Sequence, residues 1–90
     1  MRFQFNPGKD RLSIASRGLS LAFAEQLLWD EALVWLDRRF HYDEERMIAL
    51  VPHRDTLYYV AFVDRGDVRR VISLRLAEQT EVKHYVENFY

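Results

Sequence analysis

The chain has 90 residues, 49% of them hydrophobic and 30% charged, with a formal net charge of −1. That length suits one domain, and no run approaches the roughly 18 apolar residues of a membrane span. Cysteine is absent, which excludes disulfides and thiolate metal sites and fits a reducing cytoplasm, while the charge shows no global basic excess of the kind that marks a dedicated nucleic-acid binder.

Arg2-Phe3-Gln4-Phe5 alternates polar and apolar residues and predicts a short strand. Asn6 followed by Pro7 predicts a helix N-cap with proline at the first helical position, and Gly18 predicts its end. Leu12 and Ala15 are expected to turn this helix toward the core. Ser20 caps a second predicted helix, with Leu21, Ala24, Leu27 and Leu28 at helical spacing.

Beyond Asp30 the apolar period falls toward two. Strands are predicted over 32–37, 46–53, 56–64 and 68–75, with a polar connection over 38–44. Pro52 and the His53-Arg54-Asp55 turn close the second of these. Asp64-Arg65-Gly66-Asp67 reads as a hairpin turn in which Gly66 supplies a positive φ. A last helix over 77–88 carries an apolar stripe of Val82, Tyr85, Val86 and Phe89. The order is β-α-α-β-β-β-β-α, an α+β domain in which an antiparallel meander carries its helices on one face. Strict alternation in the last strand places Arg69, Val71, Ser73 and Arg75 on one side and Arg70, Ile72 and Leu74 on the other.

Three segments then resemble one family. Glu44-Glu45-Arg46-Met47-Ile48 looks like the EERF-type segment of BrnT toxins. Residues 70–77, Arg-Val-Ile-Ser-Leu-Arg-Leu-Ala, followed by Glu81 and Tyr85, are similar to the family's RIISAR-x-A ending. Phe3, Phe5, Pro7, Lys9, Gly18 and Ser20 line up with its opening pattern. The resemblance implies a RelE-like fold and a ribonuclease toxin of a type II toxin–antitoxin pair. It implies neutralisation by a BrnA-like ribbon-helix-helix antitoxin, contact with DNA only through that antitoxin, and no metal or organic cofactor. Homodimer and hetero-tetramer both stay open. Where the family has K-H-G, this chain has Ser16-Arg17-Gly18, and Arg holds phosphate but does not exchange protons near neutral pH. That exchange supports a second class of function, a toxin-like module with little or no nuclease activity that is kept for its complex with an antitoxin.

Metal-independent RNA cleavage needs cations on the scissile phosphate, a base for the 2′-hydroxyl and an acid for the leaving oxygen. Eleven of the thirteen basic residues are Arg, the side chain suited to bidentate phosphate contact. Arg75 and Arg46 are the foremost candidate cations, since strands would hold them rigidly; a salt bridge from Arg75 to Glu78 or Glu81 is the structural alternative. Glu45, with Glu44 beside it, is the candidate base, and Arg17 completes the catalytic set. Lys9, Arg69, Ser73 and Tyr59 are the candidate RNA-binding residues. His41, in a polar loop beside Tyr42, is a candidate acid that also reads as an ordinary surface histidine. No histidine has a partner at metal-ligand spacing.

Overall fold

The computed structural model describes residues 1–39, 41 and 43–89; Phe40, Tyr42 and Tyr90 lie outside the described residues. The elements are β1 (Arg2–Gln4), α1 (Pro7–Arg17), two short 3₁₀ helices (Leu21–Gln26 and Trp29–Glu31), β2 (Leu33–Leu36), β3 (Met47–His53), β4 (Thr56–Arg65), β5 (Val68–Leu76) and α2 (Gln79–Phe89). The strands form one sheet in the order β1-β5-β4-β3-β2. The expected α+β architecture is present, with every predicted strand in place. The meander from β2 to β5 is antiparallel as expected, but β1 joins β5 in parallel, pairing Phe3 with Arg69. The sheet is therefore mixed.

The first helix forms as its punctuation predicts. The Asn6 side chain accepts from the backbone N–H of Gly8 at 2.8 Å and Lys9 at 3.1 Å, and Gly18 closes the helix in the left-handed conformation, φ 66°. Its inner face differs from expectation. Leu12 is 69% exposed, and Asp10, Ser13 and Arg17, at i, i+3 and i+7, turn inward instead. The Asp10 carboxylate accepts from Ser20 Oγ at 2.9 Å and from Leu21 N at 2.8 Å, and Ser13 Oγ donates to Leu19 O at 2.6 Å. Polar tethers, not an apolar stripe, fasten α1 to the body.

The second predicted helix is 3₁₀ rather than α. Leu21, Ala24 and Leu27 are all buried, and three-residue spacing lines them up in one row only at three residues per turn. Leu28 falls outside that row and is exposed. The Trp29 indole N–H donates to Ala24 O at 2.8 Å and locks the segment.

Both faces of the sheet are covered, which corrects the one-faced expectation. The 3₁₀ helices pack Leu21, Ala24 and Leu27 against Ala49, Val51, Val60, Phe62, Val71 and Leu74. On the second face, Tyr85 of α2 packs with Ile48, Leu50, Tyr59 and Ala61. Residues 48–51 and 59–63 are consecutively buried, the pattern of strands covered on both sides. The α2 helix lies over only one end of its face, where Tyr85 Oη donates to Glu31 O at 2.6 Å.

A β-bulge breaks the alternation of β5. Ala61 pairs with Ser73 but Phe62 pairs with Val71, leaving Ile72 as the extra residue. A one-residue slip moves every following side chain to the other face. Arg69, Val71 and Leu74 therefore share the first face, and Arg70, Ile72, Ser73 and Arg75 share the second. The expected grouping of Arg69 and Val71 with Ser73 and Arg75 is overturned.

Candidate functional site

The end of the second face that α2 leaves uncovered is a cleft of about 410 Å³. Its floor is Val63 of β4 with Ile72 of β5, and the strand at Val71, whose side chain belongs to the first face, runs along it. Arg70 of β5 and Arg46, just ahead of β3, flank that floor, and Asn6 and Lys9 bring the first turn of α1 to its rim. His41, Asp43 and Glu44 of the β2–β3 connection form the remaining wall. Pairing of Arg70 with Val63 sets Arg70 at this end of the second face, and the bulge brings Ser73 and Arg75 onto the same face. Parallel pairing of β1 with β5 delivers α1, because the chain leaves β1 at Gln4, opposite Arg70.

Three cations, Lys9, Arg46 and Arg70, thus meet one histidine and two carboxylates in a polar cleft. The α1 N-terminus adds its partial positive charge on the same rim. Glu44 is committed to Arg65, which donates to it through both Nε, at 2.9 Å, and Nη2. That pair holds the end of the 38–46 connection against β4. A shallower hollow of about 490 Å³ shares His41, Asp43, Glu44 and Arg46 with the cleft and adds Glu45, Asp37 and Arg39. Among the described residues, no three His, Asp or Glu side chains come together as a cation site.

The residues singled out from sequence divide sharply. Arg46 and Lys9 line the cleft, and Glu45 lines the adjoining hollow. Arg75 does not line it. Its guanidinium donates from Nη1 and Nη2 to the two oxygens of Glu81, both at 2.9 Å, and lies 3.8 Å from the Tyr59 ring centre. Those hydrogen bonds hold the Glu81 carboxyl below the usual carboxylate range and raise Arg75 further, each against the opposing effect of burial. Tyr59 is buried beneath Arg75, and its hydroxyl accepts from Arg39 Nη2 at 3.2 Å. Arg69 is on the first face, between the rings of Trp29 and Phe62 at 4.4 and 4.3 Å, with two hydrogen bonds to Asp64 at 2.8 Å.

Arg17 reaches the side of β5 beyond its pairing with β1. Its Nη1 lies 3.5 Å from both Ser73 Oγ and Leu74 O. Position 17 therefore covers a strand edge and does not line the cleft. The Tyr42 that sequence places beside His41 lies outside the described residues. Sequence reasoning missed Arg70 and Asn6. Alternation sets Arg70 apart from Ser73 and Arg75, the residues of β5 that resemblance favours, and Asn6 reads from sequence only as a cap.

A small α+β domain with a cation-bearing cleft on the uncovered end of its sheet is suited to an anionic ligand. The family model described as "Ribonuclease toxin, BrnT, of type II toxin-antitoxin system" matches residues 5–81. The chain belongs to the BrnT family of ribonuclease toxins, and with that membership come an antitoxin partner and an RNA target. No curated protein matches the chain. Among the described residues no helix is long and apolar enough to cross a membrane.

Proposed function

We propose that this protein cleaves RNA in the cleft between α1, β5 and the β2–β3 connection, without a metal ion, and that a BrnA-like antitoxin of the ribbon-helix-helix type restrains it. The observation that carries the reading is the meeting of Lys9, Arg46 and Arg70 with His41 in one concave site. The 2′-oxygen attacks phosphorus as the P–O5′ bond breaks, leaving a 2′,3′-cyclic phosphate and a free 5′-hydroxyl. Lys9, Arg46 and Arg70 offset the charge that builds on the phosphate oxygens. Asp43 or the neighbouring Glu45 supplies a carboxylate for the 2′-hydroxyl proton. His41 returns a proton to the departing oxygen.

In this reading Arg17, Arg69, Ser73, Tyr59 and Arg75 act through the scaffold. The exchange of the family's histidine for Arg17 then leaves the cleft with its own proton carrier. The test is expression of Arg46→Ser, Arg70→Ser and His41→Ala chains in cells lacking the antitoxin, with RNA integrity followed alongside growth. Wild type should arrest growth and degrade RNA, and each variant should lose both while remaining folded. Unimpaired degradation by the Arg46 and Arg70 variants would overturn the site. A folded wild type that leaves RNA intact would favour the second reading, an inactive antitoxin-binding module, which the Arg17 exchange supports.

A further inference from the structure

The two edges of the sheet are finished differently. On one side, β1 pairs with the first residues of β5, and Arg17 approaches the Leu74 carbonyl beyond them. On the other side, β2 is the last strand, and its sequence is Leu33-Val34-Trp35-Leu36. Natural edge strands ordinarily carry a lysine, a proline or a bulge that discourages further pairing. This strand has none of them. Val34 is 44% exposed and Trp35 36%.

The register shows which backbone groups face outward. Asp37 N donates to Arg46 O at 2.8 Å, and Leu36 lies opposite Met47. Hydrogen-bonded and non-hydrogen-bonded pairs alternate in an antiparallel ladder. Trp35 and Leu33 therefore bond to β3, and the N–H and C=O groups of Val34 and Leu36 point away from the sheet. Beside them, the Trp35 ring meets His84 of α2 edge-on at 5.6 Å.

The charges on either side of the strand select an occupant. Asp30 and Glu31 precede it and the exposed Arg38 follows it, while Asp37, buried between, is matched by Arg39 through two hydrogen bonds at 2.9 Å. A second strand of the same sequence laid antiparallel brings each acidic pair, Asp30 and Glu31, alongside the other copy's Arg38; a parallel arrangement would set like against like. We propose that the β2 edge pairs with the β2 edge of a second copy of this chain about a two-fold axis, giving one continuous sheet through both copies. Val34 of each copy lies opposite Leu36 of the other in the hydrogen-bonded pairs. Trp35 meets its own counterpart at the axis, in the closer, non-hydrogen-bonded position. Such an isologous contact closes on itself and stops at two copies.

The interface is independent of the cleft and of any nuclease activity. It is tested by sedimentation velocity and light scattering on the purified full chain, from about 1 to 100 µM and at low salt. Wild type should have twice the 10.9 kDa chain mass. Val34→Lys should be monomeric over the same range, with an unchanged circular dichroism spectrum. Arg38→Glu, at an exposed position, should weaken the dimer at least tenfold, and adding Asp30→Arg should recover most of the loss. A wild-type chain that stays monomeric overturns the proposal and leaves the edge to another occupant, such as an antitoxin strand. So does a dimer whose affinity neither Val34→Lys nor Arg38→Glu changes.

Discussion

Replacing Arg75 by Met separates a structural arginine from a catalytic one. In the folded protein Arg75 gives two charge-assisted hydrogen bonds to Glu81 and lies against Tyr59. Both members of the pair are partly screened, with side-chain exposures of 26% and 20%. A fully protected pair of this kind contributes about 1.5–3 kcal/mol. Screening argues for the lower end, about 1.5 kcal/mol, and the stacked ring adds about 0.5 kcal/mol. Met preserves much of the packing on Tyr59, so a loss of about 1.5–2 kcal/mol is expected. For a domain this size, 1 kcal/mol moves Tm by roughly 4–8 °C, which places the shift near 10 °C. Thermal and urea unfolding, followed by circular dichroism, measure it. RNA cleavage by Arg75→Met, assayed at a temperature where the variant is folded, should stay within a few-fold of wild type. A variant with wild-type Tm and no cleavage would refute the reasoning and move Arg75 into the chemistry.

The same ion pair makes a pH prediction. The folded Glu81 carboxyl is depressed, so its contribution is complete above the unfolded value and is lost as pH falls through the folded one. The stability gap between wild type and Glu81→Gln, read from urea midpoints, should be constant near neutrality and shrink below about pH 4.5; a gap that widens on acidification contradicts the assignment. Asp10→Ala removes both tethers to Ser20 and Leu21 and should cost about 1–3 kcal/mol in the same measurement, whereas a neutral result would show that α1 is held by other means. At Gly18 an added Cβ meets nothing within 4 Å, so Gly18→Ala should cost only the left-handed backbone penalty of about 1–2 kcal/mol, with no change in RNA cleavage.

Local pattern read the strands well because period-two alternation and the Gly66 turn act over neighbouring residues. The helix caps at Asn6 and Gly18 were legible for the same reason. Three features were not, and each depends on contacts distant in sequence. The parallel register of β1 on β5 joins residues 2–4 to 68–70 and leaves no mark on either strand. The bulge at Ile72 arises where β5 meets β4, yet it decides which arginines share a face. The inner face of α1 is polar because Asp10 and Ser13 have partners in the segment that follows the helix, a choice that the Leu12–Ala15 spacing argued against. The cleft inherits these gaps. Lys9 and Arg46 could be picked out by residue type and resemblance, but Arg70 joins them only through the long-range pairing of β5 with β4, which sets it opposite Val63. Nor could His41 be told from an ordinary loop histidine before the connection was seen to wall the same hollow. The consecutive apolar runs 48–51 and 59–63 were the one available sign that both faces are covered.

The location of the RNA site is tested most directly by amide chemical-shift mapping with a short, non-cleavable 2′-O-methyl RNA. The largest shifts should fall on Asn6, Lys9, Arg46, Val63 and residues 70–72, with the amides around Tyr59, Arg75 and α2 nearly still. The opposite distribution, with shifts concentrated on Tyr59, Arg75 and the start of α2, would contradict a cleft built on Lys9, Arg46 and Arg70.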